Sequence, residues 1–156
     1  MTHLTEFDIE SAALEWLAGL GYRILYGPDI APDMPGAERE HYGRVVLEYR
    51  LRQALARLNP QVPADALEEA FRKLTRPDSP SLVANNHVIH KYLVEGVPVE
   101  YQRKDGSIGG DLVRVLDYDE PENNEFLAVN QFTVVENRHE RPACAAKRSV
   151  AAGRRP

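Results

Sequence analysis

An α+β fold, with helices packed on an incomplete mixed sheet, is what the amino-acid sequence predicts, and three observations carry it. Between Thr5 and Gly96, four stretches repeat apolar residues at helical spacing. Beyond them Lys104-Asp105-Gly106 joins two strand-like runs with good hairpin chemistry. Last, residues 125–142 (EFLAVNQFTVVENRHERP) read at period two with Phe126, Ala128, Phe132 and Val134 on one face and Leu127, Val129 and Val135 on the other. Both faces are apolar, as in a strand buried on two sides. The sheet reads as incomplete because an alanine- and arginine-rich segment, ACAAKRSVAAGRRP, follows at once.

In chain order, Thr5 and Asp8 have capping-box spacing, and Ile9, Ala12, Ala13, Trp16, Leu17 and Leu20 follow on a helix that Gly21 stops. Residues 22–26 (YRILY) predict a short strand. Pro28, Pro32 and Pro35 make residues 27–36 a loop. A second helix is expected over residues 39–58, carrying Tyr42, Val45, Val46, Tyr49, Leu51, Ala54, Leu55 and Leu58 and ended by Asn59-Pro60. Pro63 opens a third, with Leu67, Ala70, Phe71 and Leu74 inward and Glu68, Glu69, Arg72 and Lys73 outward, so the two form a helical hairpin. Ser79-Pro80 caps a fourth, with Leu82, Val83, Ile89, Tyr92 and Leu93, closing at Gly96. Strands over residues 97–103 and 110–118 flank the hairpin turn, and the polar loop 119–124 leads into the doubly apolar strand. Asn130 and Gln131 interrupt that strand, one on each face; they mark either a nearby site or polar network, or a solvated strand centre.

A chain of 156 residues, 43% hydrophobic and 28% charged, suits one globular domain with a real core. No apolar run nears the length of a membrane span, and Glu6, Asp8, Glu10 and Glu15 occupy the stretch where a signal peptide would be basic and then apolar, so the expected location is the cytoplasm. Cys144 stands alone, which excludes an internal disulfide and a cysteine-rich zinc site. The net charge of −5 hides two regimes: from Arg138 onward there are six basic residues and one acid, leaving −10 in the body. Such a body repels phosphate at long range, so contact with DNA calls for a local basic patch or other subunits.

Most chemical motifs are missing. No glycine precedes a lysine, which excludes the nucleotide P-loop, and neither G-x-S-x-G nor H-E-x-x-H occurs. His87-x-x-His90 places two imidazoles on one helical face, but two nitrogens are not a metal site without further ligands; solvated or partly buried histidines are the plainer reading. Residues 106–111 (GSIGGD) lie between two strands with no helix dipole to hold a phosphate, and read as a turn. Glu10 and Glu15 are the carboxylates to single out, against the plain alternative that they line the wet face of the first helix.

In order along the chain, ESAALEWLAGLGY (residues 10–22), GPDIAP (27–32), LTRPDSPSLVANN (74–86), GVPVEYQRKDGSIGGD (96–111) and ENNEFLAVNQFTVVE (122–136) make a specific string. It resembles the extreme N-terminal part of the restriction subunit of type I restriction endonucleases, over nearly all of residues 5–142. The resemblance implies the start of a PD-(D/E)xK-type nuclease domain, with residues 143–156 a basic tail, disordered or out of frame. It implies DNA restriction: ATP-dependent endonucleolytic cleavage by a complex with modification and specificity subunits. In that family Mg²⁺ is held by an Asp and a Glu on neighbouring strands, and the Lys two residues past the Glu helps position the attacking water. An acidic residue on the first helix can support the metal site, and Glu10 is the position that matches best.

Those strands lie, in the family, just beyond the strand at Gln131: after the equivalent of Arg141-Pro142 the family resumes with an Asp, where this sequence has Ala143. The residues two before Lys73, Lys91, Lys104 and Lys147 are Phe71, Ile89, Gln102 and Ala145, so no E-x-K or D-x-K exists. The later Q-x-x-x-Y motif is missing too, since Arg57, Asp65, Gly106 and Val135 stand four past the glutamines. The expectation is a chain without a nuclease centre or ATPase motor, whose sequence from Ala143 reflects a frameshift or truncation, with a natural tail as the alternative; if the frame is shifted, the open strand edge brings marginal stability. The competing class is a non-enzymatic module docking through its helices and basic tail, or a gene remnant without function.

Overall fold

The computed structural model describes residues 5–76, 78–103, 105–136 and 139–141, with residues 136 and 139–141 described by their backbone. The elements are α1 (Glu6–Gly19), β1 (Arg23–Tyr26), α2 (Glu48–Leu58), α3 (Ala64–Thr75), α4 (Leu82–Glu95), β2 (Val97–Gln102), β3 (Ile108–Val113), β4 (Leu127–Asn130), β5 (Val134–Glu136) and β6 (His139–Arg141). The class is α+β, with parallel and antiparallel pairing both present in three two-stranded sheets. The chain divides into two compact units, residues 1–47 with 125–156, and residues 48–124.

In the first unit β1 and β4 pair in parallel, Arg23 opposite Leu127 through Tyr26 opposite Asn130. Leu127, Ala128 and Val129 are all buried, so the two-sided apolar pattern marks an interior strand. The core gathers Ile30, Leu47, Leu127, Val129 and Phe132, with Leu25 and Val134 packed against it. α1 begins with the expected capping box: Thr5 Oγ1 accepts from Asp8 N, and Asp8 Oδ2 accepts from Thr5 N at 2.8 Å. Gly21, at φ +84°, turns the chain toward β1.

Three expectations in this unit are corrected. The doubly apolar stretch is not one strand: Gln131 adopts φ +51°, which ends β4 before β5 begins. The helix expected from residue 39 starts only at Glu48, because residues 39–44 are held from outside. The Arg39 side chain donates to the carbonyls of Arg44 and Thr133, and Val135 N donates to Tyr42 O. Third, α1 shows its sheet-side face through the half-buried Glu10, Ser11, Leu14 and Leu17, while Ile9 and Trp16 are 62% and 69% exposed. Packing on a two-stranded sheet covers one narrow strip of a helix. The wider apolar stripe stays in solvent.

In the second unit α2 and α3 form the expected hairpin. Arg52 spans them, its Nε and Nη2 donating to both Glu68 oxygens at 3.0 Å, with its guanidinium 3.6 Å from the centroid of the Phe71 ring. Leu51, Ala54, Leu55, Ala66, Ala70 and Phe71 are buried, as are Val97, Val99 and Val113 of the antiparallel β2–β3 pair. Two boundaries move. α4 is capped by Ser81, not Ser79, whose backbone N and O are both bonded to the Asn85 side chain. β3 runs from Ile108 and ends at Val113, because Arg114 N donates to Asn59 Oδ1 instead of a strand partner. The stretch expected as a turn therefore supplies Ile108–Asp111 to a strand, while Gly106, at φ +83°, keeps the turn. Residues 27–30, expected as loop, close into one 3₁₀ turn.

Candidate functional site

The site is the end of the parallel pair β1–β4, where both strands finish together at Tyr26 and Asn130. Carboxyl ends of parallel strands gather polar groups because the chain must leave the sheet there. Gly27 makes the exit. It is buried, and a Cβ on it would stand 2.4 Å from Gln131 O and 2.7 Å from Asn130 O. No side chain fits, and the two chains cross at backbone contact. Gln131 answers with its left-handed φ, which brings its side chain to Tyr26; the phenol donates to Oε1 at 3.1 Å. The polar pair in the apolar strand thus belongs to its end. Asn130 is half-buried and Gln131 is exposed, and it is the Gln131 amide that accepts from Tyr26.

The chain then re-enters the core through Phe132, and Arg39 lies on that ring at 3.9 Å from its centroid, with Tyr42 at 5.2 Å. Nη1 donates to Thr133 O at 2.8 Å and to Arg44 O at 3.4 Å. Burial pushes the guanidinium below its ordinary pKa, and the Tyr42 phenol opposes that shift. Arg39 is 6% exposed, and its Nε and Nη2 have no acceptor among the described residues. Helical spacing alone puts Arg39 at a helix start. The Tyr-Gly-Pro break after a strand is the local sign of the chain's exit from the sheet; nothing local marks an arginine as interior.

Glu10 is half-buried on α1 and has no hydrogen-bond or ion-pair partner among the described residues. Glu15 is exposed. His87 and His90 are exposed on α4 in the other unit. Among the described residues no three His, Cys, Asp or Glu side chains gather to hold a metal ion. The residues from 142 onward, including the basic tail and Cys144, lie outside the described residues. No described helix is long and apolar enough to cross a membrane.

Comparison with known proteins gives the family. The model of the type I restriction enzyme R protein N terminus matches residues 3–142. The type I restriction enzyme HindI endonuclease subunit of Haemophilus influenzae is 36% identical over 131 residues, 84% of this chain and 12% of that subunit. The putative type I restriction enzyme MjaIXP endonuclease subunit of Methanocaldococcus jannaschii is 28% identical over 129 residues, 83% of this chain and again 12% of the subunit. No solved structure matches. The chain spans about an eighth of the length of these relatives, and it belongs to the family of type I restriction enzyme R protein N termini.

Proposed function

We infer that this chain corresponds to the N-terminal region of an endonuclease subunit that cleaves DNA within an ATP-dependent type I restriction complex, alongside modification and specificity subunits. The observation that carries this is the family match over residues 3–142. Within such a complex Mg²⁺ and ATP serve other parts of the subunit. This sequence has no E-x-K or D-x-K and no P-loop, and its described carboxylates do not gather around a metal. By itself the 156-residue chain neither cuts DNA nor hydrolyses ATP. Glu10 is a supporting residue for the metal site, a role that needs an Asp strand and an E-x-K strand beside it. The test supplies them: joined to the corresponding strands of a family relative, the chain cuts in the presence of Mg²⁺, and Glu10→Ala slows that cleavage. Equal cleavage by the Glu10→Ala form removes Glu10 from the site.

A second reading, a docking module, is favoured by the exposed apolar stripe of α1, where Ile9 and Trp16 are 62% and 69% exposed. DNA retention that falls with salt and is lost on deleting residues 138–156 supports the module; retention unaffected by that deletion counts against it.

A further inference from the structure

Arg39 keeps a positive charge inside the first unit, with its Nε and Nη2 donors unused among the described residues. Its orientation is fixed from three sides: Nη1 is taken by the Thr133 and Arg44 carbonyls, and the guanidinium stacks near the Phe132 and Tyr42 rings. What remains is the edge formed by Nε and Nη2, both buried and both without an acceptor among the described residues. Those two N–H groups are parallel and spaced for the two oxygens of one oxyanion, the strongest geometry a guanidinium offers. A buried charged donor without an acceptor is costly, and a ligand that brings two oxygens to this edge relieves that cost. The loop that supplies Tyr42 and the Arg44 carbonyl is exposed from residue 40 to 45, and Val135 N bonding to Tyr42 O ties it to β5.

We propose that the Nε–Nη2 edge of Arg39 is a bidentate receptor for a phosphate oxyanion. Resting on the DNA reading above, the source is a backbone phosphodiester. A body of charge −10 gives phosphate no general attraction, so a preset, desolvated donor pair is how such a surface makes one specific phosphate contact.

The test follows the Arg39 Nε–H resonance of the full chain by ¹H–¹⁵N NMR, assigned by its loss in Arg39→Lys. Inorganic phosphate shifts it saturably downfield, and sodium chloride at equal ionic strength does not. A short DNA duplex moves the same resonance at roughly tenfold lower concentration, because neighbouring phosphates add contacts. Movement by inorganic phosphate alone keeps the receptor and assigns it to the free anion. A resonance unmoved by both, or moved by acetate and not by phosphate, overturns the proposal. That failure leaves the endonuclease reading standing, because DNA cutting by the strand-supplemented chain is scored separately.

Discussion

Gly27 and Gln131 hold the site's geometry through one absent methyl group. With Gln131 O 2.4 Å from where a Cβ would sit, and that atom being backbone, the clash has no flexible end to yield. Gly27→Ala is expected to cost about 1–3 kcal/mol. Gly19, with nothing within 4 Å of a built Cβ, is the control: Gly19→Ala is neutral or stabilising by up to about 0.5 kcal/mol. Urea melts of the two variants check both signs; equal effects would show that strand exit does not depend on backbone contact. Arg39→Ala is expected to destabilise by about 2–4 kcal/mol, since it leaves Thr133 O without its donor and opens a cavity beside Phe132. An unchanged urea midpoint would contradict the packing described for it.

At the scale of elements, Asn59 shows why boundaries were legible and their neighbours were not. As an Asn-Pro pair it reads as a helix stop, and α2 does end at Leu58. Its side chain also donates to Leu55 O and Arg114 O and accepts from Arg114 N, so it ends β3 as well, 55 residues away. Asn59→Ala strands both Arg114 backbone groups and is expected to cost about 2–4 kcal/mol, measured by chemical denaturation; a cost below about 0.5 kcal/mol would mean water replaces the amide freely. Caps and turns made by adjacent residues, Thr5 with Asp8, Gly21, Gly96 and Gly106, were readable from the letters. Arg39 was not, because its partner Thr133 lies 94 residues away, nor was the face of α1, because a sheet's width is not written in a helix. The loop after β3 follows the same logic. Buried Asp117 accepts from Asn123 Nδ2 and from the backbone of Glu120 and Asp119, led by the Asn123 bond, which holds its carboxyl below the usual carboxylate range. A depressed carboxyl contributes stability above its unfolded pKa and loses it as pH falls through the folded one. The loop therefore loosens in the acid range below about pH 4. Amide exchange at residues 117–124 followed against pH, with Asp117→Asn showing a flatter acid limb, tests this; identical limbs would remove Asp117 as the cause.

For the whole molecule, the class and the family were legible because α+β order and a long string of motifs survive without knowledge of contacts. The site was only partly so. The amide pair Asn130–Gln131 was visible as an anomaly, but its meaning depends on Gly27 crossing beneath it. We propose a chain with the family's N-terminal fold and without its cutting chemistry. Incubating the purified 156-residue chain with supercoiled plasmid DNA and Mg²⁺, and following conversion to nicked and linear forms, tests this. No conversion above the protein-free control is expected. Mg²⁺-dependent nicking that co-purifies with the chain and is abolished by Glu10→Ala would contradict it, and would place a working metal site where the described carboxylates show none.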